Sequence, residues 1–300
     1  MKNSLRGFIL LLACAFIWGF GFVAQSAGMD NMEPYGFTTV RMFLAFVFLF
    51  PCAKYVDYKN RKAGEIKDRA RKKNELKDTI TAGAACGFFI FCGSNLQQFA
   101  LINTTAGKAG FISALYIVVV PLLGLFFNHK VSVFNWISVI LAIIGLYFLC
   151  LTENYNISIE DTYLLLGAIF WGFHIITVAH FTHKVSAVKL SAAQMVSGGI
   201  MSLIMTVIKE DFTISGMTAA MPALLFSGVL SSGIAFTLQI LGQRYSKPTT
   251  ASILMSTESF FAVLGGFLVL HEVFSNREIV GSLILFAAVL ISQIPAKSKA

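Results

Sequence analysis

Ten stretches of predominantly apolar sequence, each about long enough to cross a bilayer, follow one another along nearly the whole chain. They fall at 7–26, 36–56, 80–101, 106–127, 133–151, 162–180, 189–208, 217–241, 249–270 and 276–295. A spanning helix needs about 20 such residues, and it pairs all its backbone polar groups within one segment, which lipid cannot do for it. With 56% hydrophobic and 13% charged residues, a chain of 300 has too little polar surface for a water-soluble domain. The pattern predicts an all-α polytopic membrane protein with ten transmembrane helices.

Two of the spans carry nearly the same six residues, AFIWGF at 15–20 and AIFWGF at 168–173. A shift of 153 takes Leu11 to Leu164, Trp18 to Trp171 and Gly19 to Gly172. Farther on the best shift is 142, which takes Leu96 to Leu238, Gln97 to Gln239, Ala109 to Ala251, Gly124 to Gly266 and His129 to His271. The second copy is therefore shorter by 11 residues, lost between its second and third helices. A period of about 150 is too long for a solenoid unit and indicates two halves of one fold, 1–151 and 152–300. Five spans per half is an odd number, so equivalent helices run in opposite directions. Inverted halves around a central cavity suit alternating access, because exchanging their conformations exchanges the open side. Trp18 and Trp171 are then expected to face each other near the membrane centre.

Lys and Arg are retained on the cytoplasmic side during insertion. With the N-terminus inside, 19 of the 23 basic residues fall on that side, ten of them in a long basic loop at 54–79. The expected location is the cytoplasmic membrane, multi-pass, with both termini cytoplasmic. The net charge of +8 does not point to nucleic acid, because the same loop carries Asp57, Glu65, Asp68, Glu75 and Asp78. It reads as a solvated segment lying against anionic headgroups, with membrane lipids as its partners.

Cys14, Cys52, Cys86, Cys92 and Cys150 sit inside apolar runs without metal-type spacing and read as small core residues. Leu11-Leu12-Ala13-Cys14 resembles a lipoprotein cleavage site, but the apolar run continues through Trp18 and Phe22, so a retained first span is expected. His180 and His183 stand three apart with no third ligand, so no metal or cofactor is expected.

Several runs together resemble the drug/metabolite transporter superfamily, and within it the ten-helix EamA-type proteins. The carriers are the paired Trp-Gly runs, the segment Thr104-Thr105-Ala106-Gly107-Lys108-Ala109-Gly110-Phe111, and the run from Leu115-Tyr116 through Pro121 to Gly124. Ser256-Thr257-Glu258 and Leu270-His271-Glu272 complete the set, with Ser259 where the family often has proline. The resemblance implies a central cavity and a cargo of amino acids, other metabolites or toxic compounds, with export the commoner direction.

An ionisable or amide group at mid-bilayer is costly unless it faces a partner, a cavity or a ligand. Glu258, nine residues into its span, leads the candidates, since a carboxyl there is suited to carry a proton or receive a substrate ammonium. The shift of 142 sets Tyr116 against it. His174, three residues after Trp171, is a candidate hydrogen-bonder. Asn95, Gln97 and Gln98, echoed by Gln239 and Gln243, either recognise a polar head or stitch helices together. Arg41 and Lys108, near the outer ends of their spans, either attract an anionic group or snorkel to headgroups. Trp18 and Trp171 lie away from the interfacial belts and suit a cavity wall. The expected substrate-binding set is thus Trp18, Asn95, Gln97, Tyr116, Trp171, His174, Gln239 and Glu258, with Arg41 and Lys108 as charge-attracting residues.

No G-x-x-x-x-G-K-[ST] loop is present, and His271-Glu272 lacks the second histidine of H-E-x-x-H. The expectation is a secondary transporter of a small organic solute, an amino acid or related metabolite, with no catalytic residues. Proton coupling, import of a vitamin or nucleoside, and a monomeric or homodimeric state stay open. A channel or sensor would not need inverted halves, and an intramembrane enzyme acting on lipid-linked substrate is the alternative of another class.

Overall fold

A computed structural model of the chain describes residues 2–62, 69–126, 131–150, 158–270, 276–292 and 294. His129, His271, Glu272, Lys130, Lys297, Lys299 and part of the basic segment lie outside them. Among the described residues the only regular structure is helical. The helices are α1 (Lys2–Met29), α2 (Pro34–Lys62), α3 (Arg69–Ala100), α4 (Ala106–Ser113), α5 (Tyr116–Phe126), α6 (Val133–Cys150) and α7 (Ile159–Phe181). They continue with α8 (Ala187–Lys209), α9 (Ile214–Ala219), α10 (Met221–Leu225), a π-helical stretch Phe226–Ala235, α11 (Phe236–Gln243), α12 (Pro248–Met255), α13 (Glu258–Leu270) and α14 (Asn276–Ser292).

Among the described residues eight helical runs are long and apolar enough to cross a membrane, counting α4 with α5, α10 with α11, and α12 with α13 as single runs. Two shorter apolar helices, Val133–Gly145 and Ile279–Ser292, pack on each other. The distribution of side chains is that of a protein in lipid. Ile9, Phe16, Val47, Phe50, Ile204 and Val207 are exposed on the outside, while Gln25, Arg41, Gln97, His174, Gln194, Gln239 and Glu258 are buried. Hydrocarbon solvates the first group and would penalise the second.

The described parts of the basic segment at 54–79 are helical. α2 extends through it to Lys62 and α3 begins at Arg69, as expected of Lys, Arg and Glu, which favour helix once the apolar run ends. Lys189 on α8 ties the two extensions together, 2.6 Å from Asp57 and 3.0 Å from Glu75.

Packing pairs α1 with α11 and α13, α7 with α3 and the α4–α5 run, α2 with α8, and α6 with α14. The Trp-Gly motifs explain two of these contacts. A Cβ on Gly19 would lie 2.7 Å from the Glu258 carbonyl and collide with Phe261, so only glycine lets α1 approach α13. A Cβ on Gly172 would lie 2.5 Å from Val119, which gives α7 the same close approach to α5. Val119 and Phe261 are themselves 142 apart.

Two membrane runs are interrupted. The first breaks at Ala114–Leu115, where backbone bonds shorten to three-residue steps, Leu115 to Ile112 at 3.1 Å and Ile117 to Ala114 at 3.0 Å. The second breaks at Ser256–Thr257, where Thr257 and Ser259 bond back to Leu254 and Ser256 in the same way. There the hydroxyls of Ser252, Ser256 and Thr257 also bond to carbonyls three residues back, competing with the helix ladder. The breaks place Tyr116 and Glu258 as the first residues of α5 and α13.

Candidate functional site

Both of these residues turn inward. The Tyr116 hydroxyl donates to Glu258 Oε1 at 2.9 Å, and the two side chains are 3% and 4% exposed. Glu258 also occupies the first turn of α13, where the helix dipole favours a negative group. Next to it, Ser259 Oγ donates to the Gly110 carbonyl at 2.9 Å, joining α13 to α4.

Tyr116 and Glu258 line a central cavity with Trp18, Gln97, Trp171, His174, Gln239 and Arg41. Eight of the ten sequence-predicted residues thus meet in one place. Its volume is about 40 Å³. Ligand pockets run to roughly 300–1,000 Å³, so this conformation is contracted around its polar groups.

Arg41 is 5% exposed and donates from Nη1 to Gln25 Oε1 at 2.8 Å, while its Nε has no partner. Among the described residues no carboxylate forms an ion pair with it. Gln25 is the hub of this wall. Its Oε1 also accepts from Gln97 Nε2 at 3.0 Å, its Nε2 donates to the Gly21 carbonyl, and its own carbonyl accepts from Gln98. A buried guanidinium held by a neutral amide keeps its full charge available to an anionic group, because the amide neutralises nothing.

Other residues of the lining have spare hydrogen-bonding capacity. His174 shares a hydrogen bond with Gln194 Oε1 through Nε2 at 3.1 Å, and its Nδ1 has no partner. Neither amide atom of Gln239 is paired. The aromatic contacts correct one expectation. Trp18 and Trp171 do not meet each other; both pack on Phe236, at ring-centroid distances of 4.9 and 6.1 Å. Phe236 from α11 thus contacts both indoles, while Gly19 and Gly172 bring their helices against α13 and α5. Trp18 Nε1 donates to the Ser231 carbonyl at 3.3 Å in the π-helical stretch.

Two predicted residues stand apart from the cavity. Asn95 donates to the Phe91 carbonyl at 2.8 Å and accepts from Ser202 at 3.3 Å, so it joins α3 to α8. Lys108 forms an ion pair with Asp161 at 2.7 Å, beside the capping box that Ser158 and Asp161 make at the start of α7. The cavity also contains Phe22, Gln25, Ser94, Ser113, Ser231 and Phe236, which the sequence reading did not single out. Phe22 and Gln25 were within reach of it, standing four and seven residues after Trp18 and so on its helical face.

A polytopic helical bundle with an apolar exterior and a buried cavity lined by Arg41 and Glu258 is the architecture of a multi-pass membrane protein. The EamA-like transporter family matches the chain over residues 5–151 and again over 158–293, and the chain belongs to that family. An uncharacterized transporter of Archaeoglobus fulgidus is 29% identical over 283 residues, covering 94% of this chain and 83% of the relative. The uncharacterized transporter YoaV of Bacillus subtilis is 23% identical over 289 residues, covering 94% of both. A crystal structure 13% identical in sequence superposes with a TM-score of 0.74 over 99% of both chains, which shows that the fold is shared. Family and relatives together point to solute transport in a membrane.

Proposed function

We propose that the protein is a secondary transporter of the cytoplasmic membrane that carries a small zwitterion, an amino acid or related metabolite, by alternating access. One observation carries the reading. Arg41, unpaired with any carboxylate among the described residues, and Glu258, held by the neutral Tyr116, line the same cavity. The guanidinium takes the solute carboxylate and Glu258 takes its ammonium, while Trp18, Trp171 and Phe236 enclose the rest. Charge-assisted hydrogen bonds of this kind are roughly twice as strong as neutral ones.

In this reading ten spans form two inverted halves, 1–151 and 152–300, with both termini cytoplasmic and export the favoured direction, as the family resemblance implies. The double family match supports it. So does the packing, which keeps the same partners when the halves are exchanged: α1 on α11 and α13 becomes α7 on α3 and α5, while α2 with α8 and α6 with α14 map onto themselves. In the proton-coupled form, Glu258 carries the proton in the solute-free half of the cycle.

A second reading rests on the unpaired Gln239 amide and His174 Nδ1 beside the indoles. Together they fit a planar heteroaromatic solute such as a nucleoside or vitamin. A thermal-shift screen of purified protein separates the two, because a ligand stabilises the folded state it binds. Amino acids should raise the melting temperature, and their decarboxylated and deaminated analogues should not. Equal shifts from the analogues, or shifts from nucleosides and vitamins alone, overturn the zwitterion reading.

A further inference from the structure

A second cavity, about 610 Å³, opens between the last turns of α7, the end of α11 and the start of α12. Ile176, Thr177, His180, Phe181, Gln243 and Ser246 form its walls. It lies at the end of the bundle that carries the start of α1, since Arg6 stacks over the Tyr245 ring at 5.2 Å. Its volume is within the range of solute pockets, unlike that of the contracted central cavity.

Neighbouring residues on two helices line the two cavities. Ile175 lines the central cavity and Ile176 the second one. Gln239 and Gln243, four residues apart on one face of α11, divide in the same way. At this boundary Gln243 Nε2 donates to the Ile175 carbonyl at 2.9 Å. Gln243 is 3% exposed and its Oε1 is buried without a partner. Like Gln98 it is half satisfied, but its unused acceptor stands where the linings of the two cavities adjoin.

We infer that Gln243 is the gate residue between a solute-binding vestibule and the central cavity, and that it hands the solute inward when its Nε2 releases the Ile175 carbonyl and its free Oε1 accepts from a donor on the solute. The ligand chemistry follows: a small solute with at least one N–H donor, admitted from the face that carries the start of α1. The inference rests on the alternating-access reading, but its test needs no knowledge of the solute.

Ser231→Cys places a thiol in the central cavity, and a membrane-impermeant maleimide is applied to sealed vesicles of either orientation, with labelling counted above that of the protein lacking this substitution. Gln243→Met keeps the length of the side chain but cannot donate to Ile175. Labelling from the vestibule face should rise about tenfold, the order that one lost hydrogen bond supports, and labelling from the other face should stay as it was. Thr177→Trp fills the vestibule and should slow labelling from its face by a similar factor, which keeps the test decisive if Gln243→Met does not fold. An unchanged rate in the folded Gln243→Met variant, an equal rise from both faces, or no slowing in Thr177→Trp overturns the gate. A solute of another class would refute the zwitterion reading and leave these rates untouched.

Discussion

The two interrupted spans have the same backbone and different chemistry. Both break 142 residues apart in sequence, at Ala114–Leu115 and Ser256–Thr257, and both start their second segment with a side chain that enters the cavity. One side chain is Tyr116 and the other Glu258. The local causes differ as well, since back-bonding hydroxyls crowd the second break, while Pro121, which lacks an amide hydrogen, stands five residues into the helix that follows the first. The Trp-Gly motifs repeat the lesson. Gly19 and Gly172 make equivalent close approaches, yet only Trp18 donates from its indole to the π-helical stretch. Duplication supplies a frame in two copies, and the function resides where the copies diverge.

Breaking the divergence at its most charged point should have the largest effect. Glu258→Gln keeps the shape and the hydrogen bond to Tyr116 but removes the carboxylate. Transport into proteoliposomes should fall by about a hundredfold, as expected for losing a charge-assisted contact of roughly 1.5–3 kcal/mol. The melting temperature should move by only a few degrees. Full activity in this variant would mean that the two broken spans are functionally equivalent after all.

The glycine pair sharpens the comparison through stability. Gly19→Ala presses a methyl group against the backbone of α13 at Glu258 and Phe261, which cannot move without dragging the site. Gly172→Ala meets the side chain of Val119 instead. Overpacking costs typically ~1–3 kcal/mol, and Gly19→Ala should sit at the upper end of that range. Gly172→Ala should sit lower and be relieved by Val119→Ala, whereas Phe261→Ala should relieve Gly19→Ala only in part. Equal unfolding free energies, with equal rescue, would show that the two approaches are the same in kind.

Tyr116→Phe comes next. It removes one neutral donor from Glu258, a loss of about 1 kcal/mol, so transport should fall about fivefold, far less than in Glu258→Gln. A larger loss than that of Glu258→Gln would assign the principal role to the first half.

Long apolar runs announce a spanning helix without saying which side faces inward, and this decided what was legible. Eight of the runs were readable as membrane-crossing helices, although α2 ends six residues after the predicted 56 and α3 begins eleven before the predicted 80. Glu258, His174 and Arg41 were readable because charge or imidazole inside such a run needs a reason. Gln25 was not, although it holds Arg41 and Gln97 together, since one amide near a helix end has an ordinary explanation. Asn95 misled for the converse reason: a buried amide is as easily satisfied by a carbonyl of its own helix as by a ligand. The π-helical stretch and the breaks depend on competition among backbone bonds, which composition does not display.

Lys108 offers the finest test, because it and Arg41 look alike in the sequence and end in different places. Arg41 is buried at the cavity and has no acidic partner among the described residues, whereas Lys108 is one-third exposed and already paired with Asp161. A partly exposed ion pair contributes about 0–1 kcal/mol, so Lys108→Met should leave transport within about twofold of the parent and shift stability only slightly. Arg41→Met should instead lose recognition of solutes that carry a carboxylate while retaining those that lack one. If Lys108→Met shows that same selective loss, the anion site extends beyond the cavity to the start of α4, and the asymmetry between the two cations disappears.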